Sequence, residues 1–432
     1  MRSRTRRGAA MLAVGMLALA AGCGSGGGSA DSAKTFTYWS MWQQSEPQAK
    51  VLKKAIKGFE HDTGIDVQVE WQGRDVLSKL IPALRSGDVP DLVDQGYGDL
   101  TGAIVTNKQY TDLSDVYTRT IPGSGGKTVR DVVPTKYDRF IKTDDGTPFF
   151  VPYEITGACI WYNAKRLPKV ASGAPQTWQE FTDLLAKRKA SGHAPLALDG
   201  DIAGYAAYWT SIAVIRALGP NGLRDLATDK DASGWGKPGV RDAIAGVADL
   251  VGKHYFVDGY DSSKFPAIQR KWVEGKADFL LLGSWAPSET GKSAPAGFTY
   301  RCFNYPRLAD DYSVPTNAIG FAVPKPAEHA KAAEKFIAYF MNKERLSGIS
   351  STAKNLTPRT DIKPPKELAD LKNLLDEQKP SEVLVGALAD MPDYRQKVFL
   401  PLSDKLLGGG LTADGFIAQM KKDQQQYWRT HD

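Results

Sequence analysis

The strongest constraint on the fold lies between Thr35 and Asp94. There the hydrophobic period switches repeatedly between that of a strand and that of a helix. Thr35 to Trp39 reads as a strand. Ser45-Glu46-Pro47-Gln48 fits a capping box, with Ser45 as N-cap and Gln48 reaching back. The helix it opens places Val51, Leu52, Ala55, Ile56 and Phe59 on one face. Ile65 to Trp71 alternates as a half-buried strand does. Val76, Leu77, Leu80, Ile81 and Leu84 mark a second helix, which Gly87 is placed to stop. Pro90 to Asp94 begins a third strand. Strand, helix, strand, helix, strand in so short a span predicts right-handed crossovers and a parallel sheet.

The pattern resumes later. Ala158 to Tyr162, Ala194 to Leu198, Phe279 to Leu282 and Tyr300 to Tyr305 read as strands. Thr177-Trp178-Gln179-Glu180 is a second capping box, ahead of Phe181, Leu184 and Leu185. Tyr205 to Leu218, Ala327 to Phe340 and Thr412 to Trp428 read as helices. A chain of 432 residues exceeds what one core usually serves, so two lobes are expected. Pro and Gly are spread through the loops instead of marking one linker, so the chain should cross between lobes more than once.

The N-terminus reads as an export address. Arg2, Arg4, Arg6 and Arg7 precede a short apolar run, Ala9 to Ala21, too short to span a bilayer that needs about 20 residues. Leu19-Ala20-Ala21-Gly22-Cys23 resembles a bacterial lipobox, with Ala20 standing where Leu is commonest. Residues 1–22 are thus expected to be a signal peptide, Cys23 the lipidated residue, and 23–34 a Gly/Ser-rich tether. Several acyl chains anchor a protein stably where one is marginal. The formal charge of +6 includes those four arginines, so the remaining chain is nearly balanced and is not built for nucleic acid. Cys159 and Cys302 are the other two cysteines. In an oxidising compartment they can pair or stand as separate buried thiols, and spacing alone does not choose.

Catalytic signatures are missing. His61, His193, His254, His329 and His431 fall in no metal-binding spacing, and no metal or cofactor is expected. No G-x-S-x-G elbow occurs. Ser351-x-x-Lys354 lacks the K-T-G that would accompany a penicillin-binding nucleophile. Gly126-Lys127-Thr128 lacks the first glycine of a P-loop, because position 121 is Ile. A carboxylate pair for glycoside hydrolysis needs only spatial proximity, so an exported hydrolase stays open as an alternative.

Several aromatic residues follow predicted strands: Trp39 and Trp42, Tyr97, and Trp285. Ligands of open α/β sheets bind outside the carboxyl ends of strands, and an aromatic face suits the C–H edge of a sugar ring. The sequence resembles the family 1 extracellular solute-binding proteins, the sugar-binding subunits of ABC importers. The matching pieces are Phe59-Glu60-x-x-Thr63-Gly64-Ile65-x-Val67, Pro90-Asp91-Leu92-Val93, Pro152-Tyr153-Glu154, Trp161-Tyr162-Asn163, Pro175-x-Thr177-Trp178-x-Glu180-Phe181, Gly283-Ser284-Trp285 and Ala333-Glu334-Lys335-Phe336-Ile337. Their order and spacing cover nearly the whole chain after the tether. The resemblance implies a two-lobed α/β fold of the type II periplasmic-binding-protein kind. Each lobe would be a mostly parallel sheet flanked by helices, with the ligand in the cleft between. Lobe 1 would comprise 35–151 and 305–344, and lobe 2 152–304 and 345–432. Carried over by position, the cleft would draw on Ser40, Trp42, Asp94, Gln95, Tyr97, Tyr153, Glu154, Trp209, Trp285, Asn317 and Arg359. The implied partners are a carbohydrate, the permease subunits of an ABC transporter, and the membrane through the lipid; the chain would be a monomer without enzymatic activity. A binding protein for a non-sugar solute is the other alternative.

Overall fold

The structure, a computed structural model, describes residues 33–431. Cys23, the expected signal segment and all but the end of the tether lie outside the described residues. Nine strands occur in the described chain: β1 (Thr35–Ser40), β2 (Asp66–Trp71), β3 (Leu92–Gly96), β4 (Val151–Asn163), β5 (Ala194–Ala197), β6 (Ala277–Gly283), β7 (Tyr300–Phe303), β8 (Val314–Ala322) and β9 (Pro380–Glu382). They order as β2-β1-β3-β8-β4-β6-β5, with β7 on β4 and β9 on β8. The β1–β3 end belongs to one lobe and the β5–β7 end to the other. The long strand β4 serves both. It pairs with β8 over Val151–Gly157 and with β6 and β7 over Ala158–Asn163.

The sheet is mixed, which corrects the expectation of mostly parallel strands. β1 is parallel to β2 and β3, and β5 to β6, as the helical crossovers require. β8 is antiparallel to both β3 and β4. Its own sequence hides it. Pro315 and Gly320 interrupt the run, and both weaken an isolated strand. Pairing on both flanks supplies what local propensity does not.

The first helix, Pro47–Thr63, corrects one cap. Pro47 takes the first helical position, so Glu46 and not Ser45 is the N-cap, and no side chain caps it. Glu46 is engaged elsewhere, by the Gln43 amide at 2.5 Å and by Arg74 at 2.6 Å. The Thr177 capping box forms in both directions ahead of helix Trp178–Ala190. Gly87 ends the helix Val76–Ser86 with φ 86°, its N–H on the Ala83 carbonyl.

Two apolar clusters flank the sheet. In the first, Phe36, Tyr38, Phe59, Phe321, Phe336 and Phe340 are essentially inaccessible, with Phe59 and Phe336 edge-to-face at 5.4 Å. Burying each ring stabilises by about 1.5–3 kcal/mol. The second gathers Ile160, Tyr162, Phe181, Trp209, Phe279 and Phe303 beneath the helix Ala203–Leu218. That helix is tied to the return segment by a buried arginine. Arg216 donates to the Tyr305 and Ser313 carbonyls at 3.0 and 2.8 Å and pairs with Asp311 at 2.5 Å. Cys159 of β4 and Cys302 of β7 form a disulfide, Cα atoms 5.9 Å apart.

Candidate ligand-binding cleft

Strand directions define the site. β1 and β3 run toward the junction and end at Ser40 and Gly96. β5 and β6 run toward it from the other side and end at Ala197 and Gly283. Between them β4 and β8 pass through, with Glu154 opposite Ile319 and Thr156 opposite Asn317. These four therefore share one face of the crossing strands. Asn317 and Ile319 are half-buried and form the accessible part of that floor.

On the first lobe, Asp94 is the hub. Its carboxylate accepts from Tyr38 OH at 2.8 Å, Tyr153 OH at 2.6 Å, Ser40 Oγ at 3.3 Å and the Met41 amide at 2.8 Å. Burial nonetheless pushes its pKa up, against the pull of those donors. Trp42 Nε1 donates to Tyr153 OH at 2.6 Å, and the Arg74 guanidinium lies 4.7 Å from the Trp42 ring centre. Ser40, Asp94 and Tyr153 are fully buried and already tied together through the Asp94 carboxylate, so they hold Trp42, itself buried, in place and do not present free groups themselves. Tyr38 completes this network and was not among the expected residues.

Glu154 is different. It is 2% exposed, with Gln48 and Asn355 beside it, and its Oε2 has no hydrogen-bond donor. Burial is the main cause that pushes its pKa up to about 8; Gln48, Asn355 and Arg74 pull the other way.

On the second lobe, β6 ends in Gly283-Ser284-Trp285. The Trp285 ring folds back over Gly283, where a Cβ would lie 2.2 Å from it, so only glycine fits. The half-buried Trp285 donates through Nε1 to Tyr205 OH at 3.1 Å. Tyr205 stacks on Tyr208 with ring centres 6.4 Å apart and lies the same distance from the Trp285 ring. Tyr205 and Tyr208 are three residues apart on the helix Ala203–Leu218, so they share its open face. Trp209, one residue further round, points into the core against Phe256 and Tyr305. The structure thus brings Tyr205 and Tyr208 to the aromatic wall and leaves Trp209 out of it. Their i, i+3 spacing was visible in the sequence.

The other expected residues divide. Gln95 is buried, its Oε1 accepting the Gly96 amide at 2.8 Å. Tyr97 packs edge-on against Phe140 and Phe150. It also borders a cavity of about 1220 Å³, a strongly charged groove between the lobes that no other expected residue touches. Across this groove Arg139 reaches Glu382 and Asn221, while Arg224 reaches Asp144 and Asp390. Arg359 lies apart from the cleft group: it makes a two-pronged pair with Asp361 at 2.8 Å and donates to the Met341 carbonyl. Among the described residues no cluster of three or more His, Cys, Asp or Glu is arranged to hold a metal.

Two lobes with strand ends converging on a cleft, bridged by shared strands, have the architecture of type II periplasmic solute-binding proteins. A family model of bacterial extracellular solute-binding proteins matches residues 54–375, and the chain belongs to that family. The diacetylchitobiose binding protein NgcE of Streptomyces coelicolor is 24% identical over 305 residues, 67% of this chain and 62% of its own. A probable sugar-binding periplasmic protein of Rhizobium meliloti is 26% identical over 235 residues, 54% of this chain. The chain spans only 55% of that relative's length. The apo form of RafE from Streptococcus pneumoniae superposes with a TM-score of 0.74 at 17% identity, covering 91% of this chain and 98% of RafE.

Proposed function

We propose that this protein captures a sugar or oligosaccharide in the cleft and delivers it to the permease of an ABC transporter, without catalysing a reaction. The observation that carries the reading is the pairing of an aromatic wall, Trp285 with Tyr205 and Tyr208, with a buried acceptor across the cleft, Glu154 Oε2, that lacks a donor. A sugar offers C–H faces to the first and hydroxyl donors to the second. Each hydroxyl left unpaired by a wrong ligand costs about 1–3 kcal/mol, which gives selectivity. The names of the sugar-binding relatives support this ligand class.

The two lobes would close around the solute about the crossing strands, with 35–151 and 305–344 moving against 152–304 and 345–432. Hinge closure around a ligand is the motion by which periplasmic binding proteins as a class work. We further infer that export removes 1–22, that lipid on Cys23 anchors the protein on the extracytoplasmic face, and that it works as a monomer. Among the described residues no helix is long and apolar enough to cross a membrane. A panel of chito-oligosaccharides, raffinose- and maltose-type sugars, polyamines and peptides in a thermal-shift assay tests the ligand class. The right ligand at a hundredfold excess over Kd adds about 2.7 kcal/mol of stability. Stabilisation by a peptide or polyamine alone would refute the sugar, and hydrolysis of the bound sugar would refute the binding role. Retention of a Cys23→Ser variant on the membrane would refute the anchor.

A further inference from the structure

Behind the aromatic wall two buried side chains, Asp199 and Gln269, form a row with the exposed Glu289, and the hydrogen bonds of the buried pair do not balance. Gln269, on the helix Ala267–Val273, donates through Nε2 to Glu289 Oε2 at 2.8 Å. Glu289 Oε1 in turn accepts from Tyr205 OH at 3.4 Å, and Tyr205 accepts from Trp285. On the other side of Gln269 lies Asp199, just beyond the carboxyl end of β5. Asp199 and Gln269 are each 1% exposed. Neither oxygen of Asp199, nor Gln269 Oε1, has a donor. An ionised carboxylate and an amide oxygen are both acceptors only; the side-chain and backbone N–H groups of Gln269 lie near Asp199, but neither completes a hydrogen bond to it. One proton on Asp199 resolves this. The acid O–H donates to Gln269 Oε1, which holds the amide with its N–H₂ end on Glu289.

We propose that Gln269 is a positioning residue that links a proton on Asp199 to the orientation of Trp285, and thereby makes solute affinity fall when that proton is lost. This rests on the reading of Trp285 as a ligand wall. With Asp199 ionised, the amide oxygen faces a negative charge. Gln269 then turns its N–H₂ group to Asp199 and lets go of Glu289. Tyr205 loses the partner that fixes it, and with it the Trp285 indole.

The surroundings favour the protonated form. The groups that face Asp199 are Gln269, through its side chain and its backbone amide, Asp201, Glu289 and Tyr205; those that face Glu289 are Gln269, Asp199 and Tyr205. No lysine, arginine or histidine is among them. Arg270, next on the helix, is exposed. Burial, with Asp201 adding to it and Gln269 pulling the other way, moves the Asp199 pKa to about 6, and burial raises that of Glu289 as well.

The test uses the unliganded protein first. The Trp285 indole N–H signal in a ¹H–¹⁵N spectrum, assigned by its absence in Trp285→Phe, should titrate with a midpoint near pH 6. In Asp199→Asn, whose amide can donate to Gln269 without titrating, the signal should hold its low-pH position throughout. Gln269→Leu should also abolish the titration. With the solute found by the thermal-shift panel, wild-type Kd should rise about threefold or more between about pH 5.5 and 7.5, against a smaller change in Asp199→Asn. An indole that does not titrate in the wild type, or titrates alike in Asp199→Asn, overturns the proposal. If the indole behaves as expected while no sugar binds, the ligand reading fails and the proton link stands.

Discussion

Replacing Glu154 by Gln should stabilise the unliganded protein by an amount that grows with pH. The carboxyl is almost fully buried, and its pKa lies at about 8 against an ordinary value of 4.5. Below pH 4.5 both folded and unfolded states carry the proton, and the stability is complete. Between 4.5 and 8 the unfolded chain ionises while the folded one does not, so stability is lost as pH rises. Above 8 both are ionised and the loss levels off. Each pH unit of that window corresponds to about 1.4 kcal/mol, which gives about 3 kcal/mol at pH 7 and about 5 at the plateau. Gln keeps the shape and cannot ionise, so it escapes the loss. Urea unfolding of both proteins from about pH 4.5 to 9 reads the difference directly. All other titrating groups act equally on the two curves and cancel. A difference that stays flat with pH would show that Glu154 is not held neutral, and would refute the reasoning from its burial.

Other outcomes follow from the same geometry. Trp285→Ala should weaken sugar binding by about 2 kcal/mol and leave the apo unfolding midpoint nearly unchanged, as measured by calorimetric titration and thermal unfolding; a large loss of apo stability would make it a core residue. Arg139→Gln combined with Arg224→Gln removes the Arg139–Glu382 and Arg224–Asp144 pairs across the charged groove. The apo radius of gyration from small-angle scattering should increase, and an unchanged value would deny the groove a part in closure. Reducing Cys159–Cys302, which closes a loop of 143 residues, should destabilise by about 2–5 kcal/mol in chemical unfolding with and without reductant. Equal curves would show that the bond does not persist in solution.

Local sequence already determined much of this protein. Period and caps specify the early strands and helices, because the buried face of each element repeats at its own spacing; Thr177 and Gly87 show it at single residues. Gly283-Ser284-Trp285 announced the end of β6, since an indole can fold back over its own strand only where no Cβ intervenes. Tertiary structure decided the rest. β8 exists because β3 and β4 flank it, not because Pro315 and Gly320 favour a strand. Tyr208 stays on the open face of its helix and Trp209 goes to the core because helix packing, not residue type, sets which side is covered. Asp199, Gln269 and Glu289 lie far apart in the chain, and nothing local to any of them marks it as a partner of the others. Their meaning comes from three elements meeting behind Trp285, where burial removes the water that would otherwise satisfy Asp199 and Gln269.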